Sequence, residues 1–303
     1  MVNIREIITS NHLHAESYKE LKAGYSSAKK YKLYSSENNP AYLLKIYDFE
    51  KRDRIKHEFE LLNHHYQNKV LCQKAKLFGY SEKEWICYLI LPYIKGISGD
   101  IALPELGEHS QYKIGLQAGR ELRKIHLLTP DITFNWYQKR FQKYQDKLQI
   151  CKKFGLAFYK QKFIEGYINE NIDMLKNSPV SFQHDDFHPQ NIIIKNEKLN
   201  GIIDFDSFDW GDPWEEFFKL PKYTIQTSIY FAKGQVMGYF DNKIPDIFWR
   251  KYNLFVALNQ HANQISGYLR GNLKDVQERT RYIIETHDFN NNNPPEWFVR
   301  CSI

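Results

Sequence analysis

From Phe182 to Pro213 the chain reads FQHDDFHPQNIIIKNEKLNGIIDFDSFDWGDP, a stretch in which carboxylates and an asparagine flank aliphatic runs. Asp186 and Asn191 bracket a loop that ends where Ile192-Ile193-Ile194 begins a strand, and Asp204 stands at the end of a second strand, Gly201 to Phe205. A tight hairpin returns the chain on itself, so Asn191 and Asp204 can meet at one end of it. Two oxygen ligands completed by substrate phosphates and water are how proteins usually hold magnesium, because the small ion keeps several waters and prefers octahedral geometry. Asn191 and Asp204 are the candidate ligands. Asp186, a third carboxylate near the metal but not on it, is then available to accept a hydrogen bond from a hydroxyl and orient it in line with a γ-phosphorus. The plain alternative is that a turn-rich hairpin collects Asp and Asn because both suit turns. That explains composition but not this order.

The elements that must position these residues follow from periodicity. Ile4, Ile7, Ile8 and Leu21 fit a helix better than a strand, which predicts a lead-in helix or two over 4–21. Beyond Gly24, β-type segments at 28–34 and 42–47 are separated by the turn-forming SSENNP at 35–40, a hairpin pattern. Ile55, Phe59, Leu62 and Tyr66 recur at helical spacing among charges, predicting one amphipathic helix over 51–66. Two further strands are expected near 75–80 and 85–93. Helical periodicity then runs through 110–128, 134–152 and 158–176. Two short strands at 191–195 and 200–205 are joined by KNEKLNG, 214 to about 286 reads helical, and the breaker-rich tail 288–297 should be irregular. The expected fold class is α+β: a mainly antiparallel sheet crossed by one helix in domain 1–93, and a larger, mainly helical domain in 94–303.

Composition excludes several classes. With 303 residues, 42% hydrophobic and 26% charged, the chain is long enough for a substantial core and far from the composition of disorder. The formal charge is +6, but the lysines are scattered with no basic block, so a solvated surface is expected and no nucleic-acid partner. Cys72, Cys87, Cys151 and Cys301 lie far apart without a CxxC pair, which indicates neither a metal knuckle nor a disulfide framework but the reduced thiols of a cytoplasmic protein. The start, MVNIREIITSNHLH, lacks the apolar core of a signal peptide. The most apolar run, Trp85 to Ile94, is about half of what a bilayer span requires and contains Pro92, so no membrane span is expected.

The order His184-Asp185-Asp186-Phe187-His188-Pro189-Gln190-Asn191, then Ile203-Asp204-Phe205-Asp206, then Gly211-Asp212-Pro213 resembles the aminoglycoside phosphotransferase and choline kinase family, distant relatives of the eukaryotic protein kinases. The three motifs stand in the family's order and spacing. The resemblance implies a two-lobed protein-kinase-like fold, with Asp186 as catalytic base, Asn191 and Asp204 on magnesium, and ATP or GTP as phosphoryl donor. Lys45 in AYLLKIYD looks like the strand lysine that binds the α- and β-phosphates, and Glu58 in RIKHEFELL like the helix glutamate that holds it in place. Helical phase alone leaves Glu60 as a competitor, and the family pattern favours Glu58. AGYSSAKKY resembles the phosphate-covering loop, which would bring Ser26 and Ser27 to the triphosphate. Tyr93 falls where the family places its hinge, as an adenine contact through its backbone.

Some positions depart from the pattern. Asp185 stands where the family commonly has glycine, and Asp206 where protein kinases have glycine, placed to assist a second metal. Glu216 replaces the family's usual aspartate and is expected to anchor the loop. His184 and His188 read as bracing residues, not as acids or bases. The implied activity is phosphorylation of a hydroxyl on a small molecule: an aminoglycoside in the nearest family, with choline, ethanolamine, homoserine or a sugar as alternatives. A kinase-like, nucleotide-binding regulatory protein is the competing class, opposed by the intact Lys45, Asp186, Asn191 and Asp204. The gap between Asp204 and Gly211 is too short for the activation loop of a protein kinase. No motif names the acceptor or the oligomeric state.

Overall fold

The computed structural model describes residues 2–21 and 28–302. In chain order the first elements are α1 (Ile4–Ser10), β1 (Ser17–Leu21), β2 (Lys29–Ser36), β3 (Asn39–Asp48), α2 (Arg52–Gln67), β4 (Leu77–Ser81), β5 (Ile86–Pro92) and β6 (Ile97–Ser98). There follow α3 (Gly99–Ala102), α4 (Glu108–Ile125), α5 (Trp136–Phe154), α6 (Gln161–Asn171), β7 (Ser181–Gln183), β8 (Ile192–Lys195), β9 (Lys198–Ile202) and β10 (Asp209–Gly211). The rest is helical: α7 (Ile225–Thr227), α8 (Ile229–Tyr239), α9 (Phe248–Leu258), α10 (Gln260–Leu269), α11 (Leu273–Thr286) and α12 (Glu296–Arg300).

The fold is α+β and divides into two compact units. One comprises Met1–Ser98 with Ile192–Asp206, the other Gly99–Asn191 with Ser207–Ile303. The β8–β9 hairpin therefore belongs with the N-terminal residues, an arrangement that a single break after residue 93 does not capture.

In the first unit a five-stranded antiparallel sheet has the order β1-β2-β3-β5-β4. The β2–β3 hairpin turns at Glu37-Asn38, where Asn38 takes a left-handed φ of 62°, a conformation asparagine tolerates better than most residues. One face of the sheet is sealed by α1, whose Ile4, Ile7 and Ile8 pack with Leu33, Leu44, Ile46 and Ile90. Asn3 caps that helix by accepting a hydrogen bond from the Glu6 N–H at 3.2 Å. The expected helix over 4–21 is thus too long: α1 stops at Ser10, and Ser17–Leu21 is a strand instead. All of β1 but its last residue is exposed, so its sequence carries no alternation to betray it. On the far side, α2 buries Ile55, Glu58, Leu61 and Leu62. The hairpin β8–β9 pairs with β6 to form a three-stranded sheet, and Cys72 bridges to Ile202.

The second unit is organised around a very close helix pair. Gly115 and Gly119 of α4 face Gly234 and Gly238 of α8, and a Cβ built on Gly119 would lie 2.1 Å from the Gln235 carbonyl oxygen. The other three would meet backbone oxygens at 2.2–2.3 Å. The backbones touch where side chains would ordinarily keep helices about 8–10 Å apart. The short strands β7 and β10 pair with each other. Both were missed in sequence because three-residue strands show no period. The stretch after Pro213 is also not plain α-helix: Pro213–Lys219 is 3₁₀ and Leu220–Thr224 is a π-helical turn. The tail holds one short helix, α12, beginning at Glu296, whereas 288–297 had read as irregular throughout.

The glycine contact gives a first test. Gly119→Ala would normally add about 1 kcal/mol of helix stability. Here the methyl has no room, and we expect a net loss of about 1–3 kcal/mol in chemical denaturation, with Gly166→Ala inside α6, where nothing lies within 4 Å, as the control that keeps the ordinary gain.

Candidate active site

In the first unit, β3 carries Lys45 to the interior, where only 1% of the residue is exposed. Its Nζ lies 2.6 Å from Asp204 Oδ1, 3.6 Å from Glu58 Oε1 and 3.8 Å from Asp206 Oδ2. Burial opposes the ammonium charge, but Glu58, then Asp204 and Asp206, outweigh it and raise the lysine well above its ordinary range. The Glu58 carboxyl is raised as well: burial pushes it up, with Lys45 opposing. Among the described residues, neither Glu58 oxygen accepts a hydrogen bond. The lysine thus faces Glu58 and not Glu60, whose side chain is 55% exposed and lies 3.8 Å from His57.

Asp204 sits just past β9 with a left-handed φ of 68°, a sparsely populated conformation for a residue with a side chain. Its Oδ2 accepts a hydrogen bond from Lys30 Nζ at 3.1 Å. Burial would raise its pKa, but Lys45 and Lys30 hold the carboxyl well below the usual carboxylate range. Lys30 was not anticipated, yet a signal existed. It is the direct cross-strand partner of Lys45 in the β2–β3 register, and two facing ammonium groups require an anion.

In the second unit the loop from His184 to Asn191 follows β7. Asp186 Oδ2 accepts a hydrogen bond from Asn191 Nδ2 at 2.9 Å and lies 3.3 Å from His188 Nε2. Asn191 Nδ2 also reaches the Asp186 carbonyl at 2.8 Å, so the amide NH₂ is turned inward and its oxygen outward. Lys219 Nζ donates to Asp186 Oδ1 at 3.2 Å and to the Asp185 carbonyl at 2.5 Å. Burial works against the Asp186 charge, but His188 and Lys219 keep the carboxyl well below the usual range. With its side chain 35% exposed, Asp186 is ionised and accessible.

The bracing around this loop comes from the segment after Gly211. Glu216 Oε2 accepts the Asp185 N–H at 3.1 Å and lies 3.6 Å from His126 Nε2, which is the anchoring role expected of it. Asp212 caps the following turn by accepting the Trp214 N–H at 2.9 Å and is ion-paired with Lys251. Asp185 has φ 55°, which explains why glycine suits its position; burial, reinforced by Glu216 and Glu215 against Lys219 and Lys143, pushes its carboxyl up to about 7. His184 is fully buried and its Nδ1 accepts the Asp186 N–H at 3.2 Å, while His188 stacks on Tyr223. Lys219 and Tyr223 were missed in sequence because no motif marks them.

Ser26 and Ser27 lie outside the described residues. Tyr93 follows β5, and its N–H donates to the Ala41 carbonyl at 2.9 Å. Among the described residues no three His, Cys, Asp or Glu side chains cluster as a metal cage. Taken one unit at a time, the Asp204 carboxylate of the first and the Asn191 amide oxygen of the second are each hard oxygen donors of the kind magnesium takes.

A model described as the phosphotransferase enzyme family matches residues 17–255. No curated protein matches the chain in sequence. Among solved structures, the gentamicin complex of APH(2")-IIa is similar with a TM-score of 0.65 at 22% identity, covering 98% of this chain and 99% of that one. The GDP complex of wild-type aminoglycoside 2'-phosphotransferase-IIIa has a TM-score of 0.68 at 17% identity, with coverage of 95% and 98%. Macrolide 2'-phosphotransferase MphH from Brachybacterium faecium has 0.65 at 12%, with coverage of 96% and 98%. At these identities the likeness shows a shared fold.

The Lys45 cluster yields a stability test. Lys45→Met strands the buried Glu58 carboxylate without a counter-charge, and we expect a loss of about 3–5 kcal/mol in denaturant unfolding. Adding Glu58→Met should recover most of that loss, since both buried charges are then gone.

Proposed function

This chain belongs to the phosphotransferase enzyme family, and from that premise we propose that it transfers the γ-phosphoryl group of ATP or GTP to a hydroxyl of a small molecule. The observation that carries the reading is Lys45, buried between Glu58 and Asp204. A lysine enclosed by carboxylates is a poor stabilising device, because desolvation of the ions consumes the attraction between them. It is a sensible one if the ammonium must be held ready for the α- and β-phosphates.

On this reading Asn191 and Asp204 hold magnesium, which when bound neutralises the phosphate charge. Asp186 accepts the hydrogen bond of the incoming hydroxyl and takes its proton as the new oxygen–phosphorus bond forms. The bridging bond to the β-phosphate breaks, and its electron pair leaves with the nucleoside diphosphate. Little covalent chemistry falls to the protein, so positioning and charge account for most of the acceleration. Ser26 and Ser27 are assigned to the triphosphate and the Tyr93 carbonyl to the base.

An aminoglycoside-like acceptor, and with it antibiotic resistance, is supported by the likeness to structures that bind gentamicin and kanamycin. The alternative acceptor is a metabolite such as choline, ethanolamine, homoserine or a sugar. We place the reaction in the cytoplasm, where nucleoside triphosphates and reduced thiols coexist; all four cysteines are buried and none is in a disulfide. No helix among the described residues is long and apolar enough to cross a membrane. The reading requires no nucleic acid.

The test is magnesium-dependent turnover of ATP and GTP against aminoglycosides, macrolides, choline, ethanolamine, homoserine and sugars. Asp186→Asn should lower acceptor-dependent turnover by about 10²–10⁴-fold with nucleotide affinity nearly unchanged. Tight nucleotide binding without turnover would favour a regulatory protein, and no nucleotide binding at all would overturn the assignment. Asp204→Ala should abolish magnesium-dependent nucleotide binding in calorimetry.

A further inference from the structure

We propose that Lys219 is the positioning residue for Asp186, its ammonium fixing the carboxylate in the orientation that receives the acceptor hydroxyl. The inference rests on the phosphotransferase reading above. Lys219 ends the 3₁₀ segment Pro213–Lys219, and its side chain is 11% exposed. Its two bonds run to the same loop, to the Asp185 carbonyl at 2.5 Å and to Asp186 Oδ1 at 3.2 Å.

The two oxygens of Asp186 are held from different sides. Oδ2 is held from within the loop, by Asn191 and beside His188. Oδ1 is held from outside it, by Lys219. Deleting the lysine therefore leaves the carboxylate held through Oδ2 alone, with nothing fixing Oδ1 from the other side. Asp185, Asp186, Glu216 and Tyr223 all face the ammonium, so its charge is compensated although it is buried.

The backbone explains how the segment reaches the loop twice. After Lys219 the chain enters the π-helical turn Leu220–Thr224, and Tyr223 stacks on His188 with ring centroids 5.0 Å apart. Such wide turns are rare and concentrate at functional sites. Lys219 thus holds Asp185 and Asp186 directly, and Tyr223 backs His188, which lies beside the other oxygen of the Asp186 carboxylate. Through the transfer Lys219 keeps its proton; the acceptor proton passes to Asp186 while the lysine holds the plane of that carboxylate steady.

The experiment compares Lys219→Met, Lys219→Gln and Lys219→Arg with the wild type, each alone and combined with Asp186→Asn. The probes are magnesium with ATP or GTP, using kanamycin, choline, or water as acceptor. Lys219→Met should lower kcat by about 10–100-fold, the cost of a misplaced group, while the nucleotide KM shifts less than about two-fold. Lys219→Arg should return to within about five-fold of wild type, and Lys219→Met should add little to Asp186→Asn because the lysine acts through that carboxylate. Amide hydrogen exchange over residues 184–191 should accelerate in the Met and Gln variants and not in the Arg variant. Wild-type kcat in Lys219→Met, fully multiplicative effects in the double variant, or unchanged exchange would each overturn the proposal. If the wild type turns over no nucleotide, the phosphotransferase reading fails, and the exchange result still decides what Lys219 does.

Discussion

Charge neutralisation around one buried ammonium governs the first unit. Lys45 cannot sit in the interior unless carboxylates come to it, and they come from two places: Glu58 on α2 and Asp204 beyond β9. Each is strained by the arrangement. Glu58 is buried with no hydrogen bond to either carboxylate oxygen among the described residues, and Asp204 accepts a left-handed backbone. Native proteins concentrate such costs where function over-determines the geometry. Lys30 adds a second cation to Asp204, which makes the cluster denser than a lysine–glutamate pair alone.

The loop from His184 to Asn191 in the second unit solves the opposite problem. There the group to be held is an anion that must stay accessible, so Asp186 is gripped at its edges by Asn191, His188 and Lys219 while part of its surface remains open. The bracing residues Glu216 and Asp212 lie deeper, each tied to a buried cation or imidazole. Both units therefore hold ionised side chains ready before any ligand arrives, which is the form electrostatic preorganisation takes in phosphoryl transfer.

How far the sequence carried the reading depended on how local each signal was. Asp186, Asn191 and Asp204 were legible because their spacing in one short segment is unusual, and the hairpins β2–β3 and β8–β9 because turn residues separate clear apolar runs. Helix α2 was legible from its apolar spacing, although the face it buries runs through Ile55, Glu58, Leu61, Leu62 and His65 and leaves Tyr66 exposed, and the fold class followed. Lys30 was not, since its partner is defined by strand register and not by distance along the chain. Lys219 was not, since its reach depends on 3₁₀ and π geometry that periodicity does not resolve. Strand β1 escaped because an exposed edge strand has no buried face to mark it, and β7 and β10 because each is three residues long.

The division of the chain has a consequence for how such a protein can be cut and recombined. The polypeptide passes between the two units after Ser98, after Asn191 and after Asp206. Lys45 and the Asp204 that neutralises it are separated by 159 positions in sequence. A fragment ending near residue 98 would carry the lysine without that aspartate, so it is not an autonomous folding module. Genetic exchange of the helical unit by a single crossover would mismatch this pair. Only an insertion-style swap, with joints on both sides of the β8–β9 hairpin, would transplant one unit while leaving the other's charges matched.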